Sequence, residues 1–518
     1  MSRAFLLVAL ATLAGAACDG PHGGGAGAPA DPAEPFRPRF HVSPAQGWMN
    51  DPNGLVFASG TYHLFYQFDP DHRLPLRQHW GHARSRDLVR WEDRPIALHP
   101  DRVLGLAFSG SAVVDRDDTS GLCGEPAGCL IAIFTQSGGS TGGQKQSLAI
   151  SHDDGETWLP FAGNPVLESP GPAAFRDPKV FWHEPTRRWV MVLAAGDRAQ
   201  LYASPNLREW SLLSELGMDL DLGGVWECPD LFELAVDGGA GGRRWVLKVD
   251  FNPGPLVGFS GARYLVGDFD GERFRADDSG ARAVDGGADF YAAQSWSDVP
   301  DGRRLWIAWM SNWKYALTSP TSPWRGAMTV PREVSLASGP AGLALVQQPA
   351  PELAALHGHR LLGMKDVRIA HAERRLASIE ATAFDLHAVL RLGGARRVEL
   401  AVRASEGGDE RTTLSYDAVR GELALDRSSA GIASFDRRFA ARHAVPLALA
   451  TPDGPLDLRV LVDESSVEVF AAGGRVVLTD LVFPAPSSAG LSLTHEGGDP
   501  WVDSLTIDAM GSVRDPGG

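Results

Sequence analysis

One hydrophobic pattern recurs five times in the first two thirds of this 518-residue chain. Residues 61–68 (Thr-Tyr-His-Leu-Phe-Tyr-Gln-Phe), 129–136, 188–195, 243–250 and 303–310 are short runs rich in aromatic and β-branched side chains. That composition suits pleated strands. Turn residues precede most of them: Ser59-Gly60, Pro185-Thr186, Gly241-Gly242 and Asp301-Gly302. A second element follows each of the first four runs: a polar turn closing on an aromatic, at 85–91, 151–158, 204–210 and 267–274. Helical periodicity is nearly absent. A unit of roughly four strands and about 40–60 residues is the size of a propeller blade. Five such units predict an all-β fold that begins with a five-bladed β-propeller.

After residue 349 the pattern changes. Residues 349–356 read as a short linking helix. Beyond it come short alternating strands, such as Val398-Glu399-Leu400-Ala401-Val402, 456–462 and 466–470, with a hairpin at Gly473-Gly474. This predicts an antiparallel β-sandwich. The expected organisation is a catalytic propeller over 39–345, a linking helix over 346–356 and a sandwich over 357–512 that packs on the propeller.

The first 38 residues belong to neither unit. Arg3 and the apolar run 4–17 read as an export signal over 1–17, too short to span a bilayer. Gly15-Ala16-Ala17-Cys18 resembles a bacterial lipoprotein cleavage box, which makes Cys18 a candidate for lipidation. Gly15 stands where Leu is usual, so ordinary cleavage after a small residue stays equally open. The Gly/Ala/Pro-rich stretch 18–38 reads as a flexible tether. The protein is expected to be exported, either secreted or lipid-anchored at the cell envelope, and monomeric.

Composition narrows the partners. The chain carries 48 Lys+Arg against 64 Asp+Glu, a net charge of −16. With no basic run, a nucleic-acid or anionic-membrane surface is excluded. Membrane contact is left only to a lipid at Cys18. The 15 Trp fit sugar binding and aromatic sheet core alike. Cys123 and Cys129 flank Gly-Glu-Pro-Ala-Gly and are expected to close a small disulfide in an exported protein. Cys228 is left single. Without a Cys-x-x-Cys pair or His-Glu-x-x-His motif, no metal site and no cofactor are expected. Asp268-Phe269-Asp270-Gly271 lacks the further ligands of a calcium loop and reads as a turn.

The candidate chemistry lies just before the repeated strands. Asn50-Asp51, Phe108-Ser109-Gly110-Ser111, Arg176-Asp177, Trp226-Glu227 and Asp289-Phe290-Tyr291 each open a preceding strand. In a propeller the innermost strands face one channel, so equivalent positions converge there. Three blades deliver a carboxylate: Asp51, Asp177 and Glu227. Each has an aromatic within three residues before it and a proline one or two after. Like charges brought together cost free energy, which argues against a purely structural role. Paired carboxylates cleave glycosidic bonds, and aromatic faces pack on sugar rings. Asp51, expected in a tight turn of Asp-Pro and Asn-Gly, suits a nucleophile. Glu227, flanked by Trp226 and Cys228 and near two other carboxylates, suits the acid/base and is expected to be the one whose pKa is raised. Asp177 beside Arg176 is expected to stay ionised and hold sugar hydroxyls. The residues alone do not assign these roles uniquely.

The motifs at 48–54 (Trp-Met-Asn-Asp-Pro-Asn-Gly), 108–111 (Phe-Ser-Gly-Ser), 175–178 (Phe-Arg-Asp-Pro) and 227–230 (Glu-Cys-Pro-Asp) resemble the glycoside hydrolase family of invertases, inulinases and levanases. The resemblance runs from about residue 40 to the end, including Ser465-Ser466-Val467-Glu468-Val469-Phe470. It implies a retaining hydrolase of fructans or sucrose with Asp51 as nucleophile, Glu227 as acid/base and Asp177 as transition-state stabiliser. It also implies that Asn50, Gln67, Trp80, Phe108, Ser109 and Arg176 line a fructose pocket. Residues 311–315 and 324–331 look like the exo-acting inulinase and levanase branch, in which Trp313 would close the pocket on a terminal fructose. Residues 71–78 depart from the family's pattern on the leaving-group side. Three other readings compete: a sialidase, suggested by the Asp-box-like 151–158; a non-catalytic fructan-binding lipoprotein; and a fructosyltransferase on the same scaffold.

Overall fold

The computed structural model describes residues 33–513, apart from 125–127, 172–173, 218–223, 253–259, 279, 340–341, 450 and 452–453. The expected signal at 1–17 and Cys18 lie outside the described residues. Five antiparallel sheets follow one another along the first two thirds of the chain. Their first two strands are Gly47–Ala58 and Thr61–Asp69, Leu106–Asp115 and Cys129–Ser137, Phe175–His183 and Arg188–Ala195, Val225–Ala235 and Arg243–Asn252, and Tyr291–Ser295 and Leu305–Trp309. The five repeated runs are thus the second strands. The first strands touch one another in sequence and the fifth touches the first, so the sheets close into the ring of a β-propeller. Trp324–Arg325 leaves the fifth sheet and pairs in parallel with Gly47 and Trp48, locking the ring. Gly326 makes this possible: at φ +91°, a Cβ there would lie 1.9 Å from the Met49 carbonyl.

Each first strand is broken by a β-bulge near its start, between Met49 and Pro52, Ala107 and Gly110, Arg176 and Lys179, Glu227 and Asp230, and Tyr291 and Gln294. A bulge inserts an unpaired residue and re-aims its neighbours. Asp177, Cys228 and Ala292 adopt left-handed backbone at these points (φ 65°, 44° and 55°). The aromatic-closed turns are Asx hairpins. In 85–91, the Asp87 carboxylate accepts from the Val89 and Arg90 amides (3.1 and 2.8 Å), and the Trp91 indole donates to Leu88 O (2.9 Å). The turn at 151–158 is built the same way and joins outer strands, so its Asp-box look is a turn device.

Strand Ala344–Pro349 carries the fifth sheet past the expected limit of residue 345, because it pairs throughout with Arg332–Ala337. A 3₁₀ helix, Pro351–Leu356, links to the second unit. There a six-stranded and a five-stranded antiparallel sheet enclose a core of Leu, Val and Ile, forming a β-sandwich. The tether was expected to reach residue 38, yet Phe36 is buried, with its ring 5.2 Å from Phe483. Arg37 stacks on Trp324 at 4.7 Å. Apolar burial fixes this segment in the groove between the two units.

The seam between propeller and sandwich is ionic. His41 Nδ1 and Nε2 meet Asp463 (2.7 Å) and Glu468 (2.8 Å), all fully buried. Arg332 reaches Glu468, Asp285 (3.2 Å) and Thr479 Oγ1 (2.7 Å). Arg427 donates to Asp289 (2.5 Å) and to the Tyr315 hydroxyl (2.9 Å). Asp289, which opens an inner-strand motif, therefore turns outward to the sandwich instead of into the channel. Burial alone would lower the His41 pKa; its hydrogen bonds and charge pairing with Asp463 and Glu468 outweigh this and raise it to about 9. The folded state thus holds the His41 proton more tightly than the unfolded chain. That stabilisation is complete below about pH 6.5 and is lost as pH rises through about 9. We expect His41→Gln to cost about 3–5 kcal/mol near neutrality and to flatten the alkaline fall of the melting temperature. Equal slopes for the two proteins between pH 7 and 9.5 in thermal unfolding would refute this role.

Candidate active site

The first strands run in one direction, so their bulges gather at one mouth of the channel. Asp51, Ser109, Asp177, Glu227 and Tyr291 meet there. Asp51 accepts from Asn50 Nδ2 (2.9 Å) and Ser109 Oγ (2.7 Å). Asn50 is itself pinned by Trp48 Nε1 (2.6 Å) and Gln78 Nε2 (3.2 Å). Asp51 sits in a bulged strand, where the sequence suggested a tight turn. Gly54, at φ +53°, leaves room for aromatic packing: a Cβ there would lie 2.7 Å from both Phe65 and Trp80. The Trp80 indole donates to Phe108 O (2.9 Å), and Gln67 Nε2 donates to Ala107 O (3.0 Å), so both tie the first sheet to the second. Phe108 is half-buried at the mouth.

Glu227 is held from two sides. Arg176 Nη2 donates to its Oε1 (2.6 Å), and the Tyr291 hydroxyl donates to its Oε2. Arg176 stands farther from Asp177 (3.9 Å). Asp177 accepts instead from the Cys228 amide (3.0 Å), and its own N–H donates to Thr135 Oγ1 (2.9 Å). Cys228 Sγ lies 3.6 Å from both Asp51 and Asp177, and Arg176 reaches both Asp177 (3.9 Å) and Glu227 (2.6 Å), so the three carboxylates share one site.

Complete burial, with added repulsion from Glu227 and Asp51, raises Asp177 to about 7 despite the opposing pull of Arg176. This reverses the expectation that Arg176 keeps it ionised; the guanidinium spends its hydrogen bond on Glu227. Deeper in the channel, Asp250 is also pushed up to about 7 by burial, although Lys248 pairs with it. Burial and nearby negative charge hold the Cys228 thiol well above its usual range.

Trp313 is half-buried. It stacks on buried Trp48 (6.0 Å, 26°) and lies against Trp309 (4.8 Å), so it forms a rim of the mouth and not a blade core. Cys123 and Cys129 form a disulfide with Cα atoms 5.2 Å apart. Tyr291, Thr135 and Gln78 were not singled out from sequence. Tyr291 could have been, since it occupies the fifth inner strand in register with the carboxylates. Thr135 and Gln78 carry no such signal.

A ring of inner strands presenting acidic groups among aromatics defines a glycoside hydrolase. The chain belongs to glycosyl hydrolases family 32: the family's N-terminal domain matches residues 41–349 and its C-terminal domain residues 357–509. It is 45% identical over 487 residues to a levanase of Bacillus subtilis (strain 168), covering 93% of this chain and 71% of that protein. It is 37% identical to an extracellular exo-inulinase of Aspergillus ficuum, covering 90% and 93%. The fold matches the crystal structure of an exo-inulinase from Aspergillus awamori with a TM-score of 0.85 at 35% identity, covering 93% of this chain and 99% of that one. It likewise matches a β-fructofuranosidase of Schwanniomyces occidentalis complexed with fructosyl-erythritol, with a TM-score of 0.84 at 29% identity and coverage of 93% and 99%. The sialidase reading is thereby overturned.

Because the folded pKa of Asp177 lies above its ordinary 3.8, ionising it costs the fold as pH rises from about 4 through about 7. Asp177→Asn removes that cost. We expect it to raise the melting temperature by several degrees at pH 8 and by little at pH 4, as read by calorimetry. A gain independent of pH would show that Asp177 does not titrate in this window.

Proposed function

We propose that this protein is a retaining, exo-acting β-fructosidase that releases terminal fructose from fructans of the levan and inulin type and from sucrose. Asp51 is the nucleophile. Its carboxylate accepts two hydrogen bonds, from Asn50 and Ser109, that fix one orientation. Attack on the anomeric carbon breaks the glycosidic bond and forms a covalent fructosyl–enzyme, while Glu227 gives its proton to the departing oxygen. Water, deprotonated by Glu227, then releases fructose with its configuration retained. Asp177 stabilises the positive charge that develops on the ring. That charge favours the ionised form of a carboxylate whose pKa is otherwise raised, so the interaction strengthens as the transition state forms. Asn50, Gln67, Trp80, Phe108, Ser109 and Arg176 shape the fructose pocket, and Trp313 closes it behind a terminal ring.

The observation that carries this reading is the convergence of Asp51, Asp177 and Glu227 at one mouth around Cys228, with Trp313 on its rim. The names of the relatives, levanase and exo-inulinase, support the substrate class. The Cys123–Cys129 disulfide supports export, since such bonds persist in oxidising compartments. We infer an export signal over 1–17, with Cys18 as a lipidation site, a monomeric protein, and domain limits near residues 36, 349 and 357.

Product chromatography on inulin and levan is expected to show fructose alone from the earliest times; early oligosaccharides would overturn the exo assignment. Asp51→Asn should lose activity on the order of 10⁴-fold or more without unfolding. Glu227→Gln should keep far more activity on an aryl fructoside than on inulin, because a good leaving group needs no proton. Near-normal turnover by Asp51→Asn, or NMR detection of an inverted first product, would remove Asp51 from the nucleophile role.

A further inference from the structure

The five inner strands run from the catalytic mouth to a second mouth at the other end of the channel. Their register shows it. Asp51, Ser109, Asp177, Glu227 and Tyr291 lie near the strand starts, while Ala58, Asp115, His183 and Ala235 end four of them. The far mouth opens into a cavity of about 490 Å³, within the size range of small-molecule sites. Its walls include the half-buried rings of Phe181, Trp182 and Trp245. Polar groups form its floor. Lys179 is buried; its ammonium donates to Ser295 O and lies 3.7 Å from Asp230, and an ammonium has three donors. Arg304 has no contact closer than 3.4 Å, to Trp296 O, among those described for its guanidinium. The carboxylates of Asp117, Glu184 and Asp298 add acceptors to the cavity's lining. Past the Arg116–Asp298 ion pair (3.0 Å), the groove continues into a second cavity of about 590 Å³ that shares Val114, Arg116 and Asp298.

We propose that this far mouth is a second, non-catalytic saccharide site that holds a stretch of fructan chain while another end is cleaved. Aromatic faces beside both donors and acceptors match sugar rings, whose hydroxyls donate and accept. The neighbouring cavity gives the groove the length of a chain rather than of a single ring. No bond is made or broken there. The proposal rests on the fructan reading of the catalytic mouth, and the test separates the two.

The test compares Trp182→Ala and Trp182→Tyr with the wild-type protein on sucrose, which fits the catalytic mouth alone, and on long-chain levan and inulin. Loss of one stacking ring should raise the polymer KM roughly three- to ten-fold. Sucrose kinetics should stay unchanged, and Tyr should restore most of the loss. In affinity electrophoresis through levan, Asp51→Asn should be retarded and Asp51→Asn/Trp182→Ala much less so. An unchanged polymer KM with undiminished retardation overturns the proposal. So does an equal loss on sucrose, which marks a folding effect. Retardation abolished by inorganic phosphate or acetate, while indifferent to Trp182, would assign the pocket to an anion and also overturn it. If the catalytic reading itself fails, neither substrate yields fructose, yet the electrophoretic comparison still reports on the far mouth.

Discussion

Crowding of negative charge is the constraint on which this structure turns. Three carboxylates from three sheets share one mouth, and Cys228 Sγ is 3.6 Å from two of them. Left alone, such a cluster would push the strands apart or take up protons. The fold answers with directed donors. Asn50 and Ser109 serve Asp51, the Cys228 amide serves Asp177, and Arg176 and Tyr291 serve Glu227. The answer is incomplete at Asp177, whose raised pKa records what remains of the repulsion. A substrate that becomes cationic as it reacts supplies the missing positive charge. The instability of the empty site and the stabilisation of the transition state are then one electrostatic quantity viewed in two states.

The bulges are what allow the donors to arrive. A regular strand alternates its side chains, so Asp51 or Asp177 would share a face with only every second neighbour. An extra residue in each inner strand turns the carboxylate toward the axis. It also frees a backbone amide, as at Cys228, to donate to a neighbouring sheet. Left-handed backbone at Asp177 and Cys228 is held by contacts between sheets rather than within them. Ring closure through Trp324–Arg325 therefore matters to chemistry as well as to stability: the five inner strands keep their register only if the ring stays shut.

This division explains what could be read from the chain. The three carboxylates were legible because each opens a strand in a repeated pattern, and the repeat supplies the register. Tyr291 stood in that register too, but a phenol does not announce itself as part of an acidic cluster. The bulges were invisible, since an inserted residue leaves the aromatic and β-branched composition of a strand intact. The ionic state of Asp177 was misread because its sequence neighbour Arg176 points at Glu227, and chain adjacency says nothing about that choice. The seam was illegible for a different reason. His41 meets Asp463 and Glu468 across more than four hundred residues, and Asp289 meets Arg427 across 138. No local pattern marks either pair. The sandwich therefore read as passive packing, although it supplies the counter-charges that bury His41 and Arg332.

The channel below the mouth completes the electrostatic logic. Lys248 pairs with Asp250 and donates to the Cys228 carbonyl (2.7 Å), directly beneath the bulge that carries Glu227. One level further, Lys179 approaches Asp230, whose Oδ2 accepts from the Ser295 amide (2.7 Å). Buried charges are costly unless paired, and each level pairs them across adjacent strands. An apolar plug would fill the same space at less electrostatic cost. It would, however, leave the bulged carbonyl of Cys228 with the Gln294 side-chain amide (3.1 Å) as its one remaining described donor, and would remove the ammonium that pairs with Asp250. The charged axis is therefore coupled to the catalytic mouth: Lys248 holds the Cys228 backbone, whose amide in turn donates to Asp177.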